Sequence, residues 1–172
     1  MATSAEPQQD TRGTRREHGR VVVGVDGSPG SRAALREALL AADRHGDSLE
    51  VITAPLTEAE LGAWGTGAWP AVPLPGPDRV LGAARRAAQD MVDDVLVELR
   101  GRLRTPARID VRAVPGHPAQ VLVRAAHGAD RLVVGHRGRG AVGSLVLGSV
   151  GLHCLAAAPC PVTVVPPVDD GA

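Results

Sequence analysis

Arg20-Val21-Val22-Val23-Gly24-Val25-Asp26-Gly27-Ser28-Pro29 decides the fold: a β-branched run that ends in a turn signal and passes directly into a helix start. Ser28 is a residue type that caps helices, and Pro29 suits a first helical turn because its missing N–H would find no partner there anyway. The helix expected from about Gly30 to Arg44 carries Ala34, Leu35, Ala38, Leu39 and Ala42 on one side, and His45-Gly46-Asp47 stops it. Leu49 to Ala54 follows at once as a second strand.

The same alternation continues downstream. Pro55 to Pro77 is Gly, Pro, Ala and Trp without periodicity, a long loop holding Trp64 and Trp69 that could cover a site or meet a partner. Asp78 to Leu103 repeats apolar residues at Val80, Ala84, Ala88, Met91, Val95 and Leu99, which predicts one long amphipathic helix. Arg108 to Val114 is a third strand, Gly116-His117-Pro118 opens a helix through Val121, Leu122, Ala125 and Ala126, and Asp130 to Gly135 is a fourth strand. A helix from Gly148 to Ala158 and a fifth strand, Pro161 to Val165, close the series before Pro166-Pro167. Ala141 to Val168 runs 28 residues without a formal charge, but Gly and Pro interrupt it. It therefore reads as a buried helix and a buried strand rather than a membrane span.

Strands that are continuous apolar runs, separated by helices, require a parallel sheet covered on both faces. The expected fold class is α/β: a doubly wound, five-stranded, Rossmann-like parallel sheet. Ligands of such sheets sit beyond the C-terminal strand ends, where the strand order reverses.

Composition narrows the function. A chain of 172 residues supports one domain, expected over 20–166, between a disordered N-terminal tail (1–19) and a short C-terminal tail (167–172). The first nineteen residues have charges and no apolar centre, so they are not a secretory signal. All nineteen basic residues are Arg, which removes the Lys-dependent phosphate loop. Zero net charge, no Phe and no Tyr argue against nucleic-acid binding. Cys154 and Cys160 read as small buried thiols of a reduced, cytoplasmic protein, without the further ligands a zinc site needs. The absence of Lys, Asn, Phe and Tyr, with Ile present only twice, points to a GC-rich bacterial genome.

The chemistry-bearing stretch follows the fourth strand: Gly135-His136-Arg137-Gly138, nine residues, then Gly148-Ser149 at a helix start. Glycines let backbone amides approach an anion, and Gly148-Ser149 brings free amides, a hydroxyl and the positive end of a helix dipole together. Arg137 and Arg139 supply forked positive charge suited to phosphate oxygens.

Gly-x2-Gly-x9-Gly-Ser in this setting resembles the ATP-binding branch of the universal stress protein family. The blocks Val22-Val23-Gly24-Val25-Asp26-Gly27-Ser28, Gly116-His117-Pro118-Ala119, Arg131-Leu132-Val133-Val134-Gly135 and Ala158-Pro159-Cys160-Pro161-Val162 agree, so the resemblance runs from about Arg20 to Pro166. It implies an adenine nucleotide α-hydrolase-like domain holding ATP, with Mg, across the ends of the first and fourth strands. Val25 and Asp26 would edge the adenosine, Ala54 would contact adenine, and Val134 and Gly135 would meet the ribose side. Arg137, Gly138, Gly148, Ser149 and Val150 fall where the family holds phosphates and ribose. His136 stands where Ser is common. The resemblance also implies a homodimer, and an apolar edge strand at Pro161–Val165 points the same way.

Hydrolysis needs an oriented water and metal ligands. From His136 to Val168 there is no acid, and Asp26 is the only carboxylate that falls near the nucleotide. The expectation is binding with at most slow hydrolysis, in a nucleotide-responsive stress protein with unidentified regulatory partners. A nucleotide-free interaction module and a weak ATP-using enzyme are the alternatives. A serine-hydrolase triad lacks its Gly-x-Ser-x-Gly elbow after a strand, and a redox role lacks Cys-x-x-Cys.

Overall fold

The computed structural model describes residues 19–55, 76–104, 108–138 and 147–166. The two tails up to residue 18 and from 167, the stretch holding Trp64 and Trp69, and Arg139 lie outside these. The elements run β1 (Arg20–Gly24), α1 (Pro29–His45), β2 (Ser48–Thr53), α2 (Pro77–Glu98), β3 (Ile109–Ala113), α3 (Pro118–Ala125), β4 (Arg131–Gly135), α4 (Ser149–Ala157) and β5 (Val162–Val165).

All strand pairings are parallel, in the order β3-β2-β1-β4-β5. The chain steps outward from β1 to β2 and β3, then returns to the other side of β1 for β4 and β5. The switch point lies between β1 and β4. Alternation along β1 feeds two cores. Val21 and Val23 pack with Leu35 and Leu39 of α1 and Val92 and Val95 of α2. Val22 packs on the opposite face with Val121 and Leu122 of α3 and Cys154 of α4. This is the five-stranded doubly wound architecture expected from the sequence.

Local signals act where they were read. Ser28 Oγ accepts from the Ser31 N–H at 3.1 Å and caps α1. Gly46, with φ of 71°, ends the same helix in the left-handed region that favours glycine. Helix α2 stops at Glu98, short of Leu103, because the chain turns at Leu99 and passes Gly101 with φ of 77°. Its buried residues are Ala88, Val92 and Val95, followed by Leu99. Steps of four, three and four put Val92 inside, where Met91 was expected.

The uncharged run after residue 141 is not buried as expected. In α4 only Gly151 and Cys154 are buried, while Leu152 is 61% and Leu155 49% exposed. A nine-residue helix against the margin of the sheet has one face covered, so apolar residues elsewhere on it meet solvent. Strand β5 is half-buried throughout for the same reason: it has a neighbour on one side only. Among the described residues no helix is long and apolar enough to cross a membrane.

The two edges of the sheet differ in charge. Edge strand β3 displays exposed Asp110 and Arg112, whereas β5 reads Val162-Thr163-Val164-Val165. Arg112 Nη1 lies 2.7 Å from the buried Glu50 carboxylate of β2, which also pairs with Arg20.

Candidate functional site

A cleft of about 380 Å³ opens at the C-terminal ends of β1 and β4. All ten residues named from the sequence lie in its walls: Val25, Asp26, Ala54, Val134, Gly135, Arg137, Gly138, Gly148, Ser149 and Val150. So do Gly24, Ser31, Ile52, Pro118, Leu122 and Gly151, which were not singled out. Of these, Gly24 and Pro118 stood in quoted blocks; the others are ordinary residues whose place in the site depends on tertiary contacts.

The cleft has an apolar and a polar end. Ile52 and Ala54 at the β2 end, Pro118 and Leu122 of α3, and Gly24 and Val25 supply the apolar wall. The Val25 N–H donates to the Ile52 carbonyl at 2.8 Å, carrying the pairing of β1 and β2 one residue past the strand. At the polar end the chain leaves β4 through His136, Arg137 and Gly138 and returns at Gly148. The Gly148 N–H donates to the His136 carbonyl at 2.9 Å, and the His136 N–H donates to the Val165 carbonyl at 2.7 Å. His136 thus fastens the base of the loop and the mouth of α4 to the end of β5 by its backbone. Its Nδ1 is buried without a hydrogen-bond partner among the described residues.

Helix α4 begins without a side-chain cap. Its first intrahelical acceptor, the Gly148 carbonyl, serves Leu152 at 3.0 Å. The N–H groups of Ser149, Val150 and Gly151 therefore have no intrahelical partner, and all three residues line the cleft. Orphan donors at the positive end of a helix dipole form an anion site. Gly148 has φ −63° and ψ 153°, ordinary for any residue, and among the described residues an added Cβ would meet nothing nearer than 3.5 Å. Neither its backbone nor the described residues around it require glycine there.

Gly135 does something other than expected. It does not have a positive φ, and an added Cβ would stand 2.6 Å from the carbonyl carbon and oxygen of Gly30. A Cβ on Gly30 would in turn stand 2.6 Å from the Arg137 carbonyl oxygen. The two glycines let the first turn of α1 press onto the end of β4, which sets where the Arg137 backbone lies.

Asp26 is a turn residue and a cleft residue at once. Its Oδ1 accepts from the Ser28 N–H at 2.9 Å and from the Ser28 hydroxyl at 2.6 Å. Its Oδ2 lies 2.5 Å from where a Gly138 Cβ would stand, so the carboxylate rests against the loop after β4. Ser31, buried behind it, donates its hydroxyl to the Ser28 carbonyl at 2.9 Å and accepts from the Asp26 N–H at 3.3 Å. The doublet Ser28 and Ser31 holds the β1–α1 turn in shape.

Burial pushes the Cys154 thiol up to about 11, and burial also raises Cys160, so neither is a ready thiolate. Among the described residues Asp26 is the only carboxylate in the cleft walls, and no group of three His, Cys, Asp or Glu could hold a metal ion.

The profile of the universal stress protein family matches residues 17–166. The chain belongs to the universal stress protein family. A universal stress protein of Mycolicibacterium smegmatis is 34% identical over 147 residues, 84% of this chain and 47% of its own length. This universal stress protein spans about half the length of the curated relatives it matches. A crystal structure of a universal stress protein in complex with cAMP is 27% identical, with a TM-score of 0.58 over 88% of this chain and 99% of its own. The fold is also that of an Arabidopsis thaliana universal stress protein family member with AMP bound, at 16% identity and a TM-score of 0.55, over 88% of this chain and 94% of its own.

Proposed function

We propose that this universal stress protein binds an adenine nucleotide, ATP foremost, and acts through occupancy rather than turnover. The observation that carries the reading is one cleft with an apolar end for a base and, at its other end, uncapped helix amides beside Arg137. The 27%-identical relative with cAMP supports it. Adenine would lie against Ala54 and Val25, ribose near Asp26, Val134 and Gly135, and phosphates over Gly138, Gly148, Ser149 and Val150 with Arg137. Mg would arrive on the phosphates, since Asp26 alone offers it a carboxylate. Among the described residues Asp26 is the one cleft carboxylate, and its Oδ1 already accepts from Ser28, which supports binding over turnover. The nucleotide-binding unit is the stretch 20–166, in a reducing compartment such as the cytoplasm, where its free thiols would persist.

Titration calorimetry with MgATP tests this. One site per chain and a rise in melting temperature are expected; ligand at a hundred times its Kd adds about 2.7 kcal/mol of stability. No heat and an unchanged melting temperature would leave a nucleotide-free interaction module. Rapid phosphate release by the purified protein would instead make it an ATP-using enzyme.

The same chain is proposed to pair with a second copy along the Pro161–Val165 edge. That edge carries no charge, whereas the β3 edge is guarded by Asp110 and Arg112. Sedimentation at micromolar concentration is expected to give a dimer. A monomeric parent would contradict the pairing.

A further inference from the structure

The apolar end of the cleft is closed by a contact between two elements far apart in sequence. Leu122 of α3 is 5% exposed and lies in the wall with Pro118, Ile52 and Ala54. Beneath it is Gly24, the last residue of β1. A Cβ on Gly24 would stand 2.7 Å from one δ-carbon of Leu122 and 3.0 Å from the other, closer than carbon atoms pack. Gly24 does not have a positive φ, so its backbone conformation does not call for glycine. What the glycine supplies is room for the Leu122 side chain.

We infer that Gly24 and Leu122 together set the size of the base pocket and so determine which nucleotides fit. This rests on the nucleotide reading of the cleft. With no Cβ at position 24, Leu122 settles down onto the sheet and leaves the cleft open above it. Val22, Ile52, Val134 and Ala126 fill the core around Leu122. A methyl at position 24 therefore displaces Leu122 toward the cleft whose wall it forms. Shortening Leu122 enlarges the same volume. The two positions act in opposite directions on one dimension of the site.

The test is a set of titrations with ATP and with three ATP derivatives enlarged on the base at N6, C2 or C8. The proteins are the parent, Leu122→Ala, Leu122→Val, Gly24→Ala and the double variant Gly24→Ala/Leu122→Val. Leu122→Ala is expected to favour at least one enlarged derivative over ATP by about tenfold more than the parent does, the scale of a methylene or two in an apolar pocket. Gly24→Ala should weaken ATP by about tenfold, and the double variant should return toward the parent. If Leu122→Ala does not fold, Leu122→Val and Gly24→Ala carry the comparison. Folded variants whose preferences all match the parent overturn the inference. A parent that binds no nucleotide overturns the reading beneath it, and the two failures are distinct.

Discussion

Gly148→Asp should cost this protein most of its nucleotide affinity while leaving it at least as stable as the parent. Position 148 is the N-cap of α4, its backbone suits any residue, and no side chain caps the helix. Against the described residues an aspartate there finds ordinary contacts at 3.5 Å and beyond, and its carboxylate can accept from the N–H groups of the first turn. Capping and the helix dipole each favour the negative charge, by a few tenths to about 1 kcal/mol. The same carboxylate occupies the donors proposed for phosphate and repels it. At about 4 Å, two like charges cost between roughly 1 kcal/mol in bulk water and 4 kcal/mol near a protein surface, or about five- to thousandfold in affinity. Urea unfolding and calorimetry on one preparation read the two effects, which have opposite signs. A variant that is destabilised, or that still binds ATP as the parent does, refutes the account of the helix mouth.

Gly135→Val is expected to lower stability by about 3 kcal/mol, a large share of the roughly 5–15 kcal/mol available to a domain. The Cβ alone would fall 2.6 Å from backbone atoms of Gly30. No side chain is present there to swing away, so α1 must move off the end of β4, and the γ-methyl groups add to the crowding. Because Gly30 in turn abuts the Arg137 carbonyl, the displacement reaches the loop proposed to hold phosphate. Urea midpoints measure the first consequence, and ATP titration at a temperature where the variant is folded measures the second. An unchanged midpoint would show that the two glycines are not in the tight contact described above.

The architecture was legible because the apolar runs, caps and breakers agree with one another: Val21–Val23 before Ser28-Pro29, and Gly46 after α1, signal the same βαβ geometry locally and globally. The ten named residues meet in one cleft because doubly wound topology brings the ends of β1 and β4 together. The rest depended on information no local window holds. Gly24 touches Leu122 across nearly a hundred residues of chain, so nothing near either one announces the contact. Gly135 was expected to clear a path for an anion, but its constraint is the neighbouring helix. Hydropathy placed α4 inside, yet burial is set by how much of a short helix the sheet can cover. Glu50 interrupts an apolar strand without local reason, and only parallel registers bring Arg20 and Arg112 beside it from the strands on either side.

The unequal margins of the sheet also limit how far it can grow. A strand that joins its own duplicate about a two-fold axis uses up its unpaired backbone groups, and the ionic opposite margin offers incoming chains a poor template. Under the proposed pairing, self-assembly therefore terminates at two copies instead of propagating into a fibre, and a second partner must dock on a helix or at the cleft mouth.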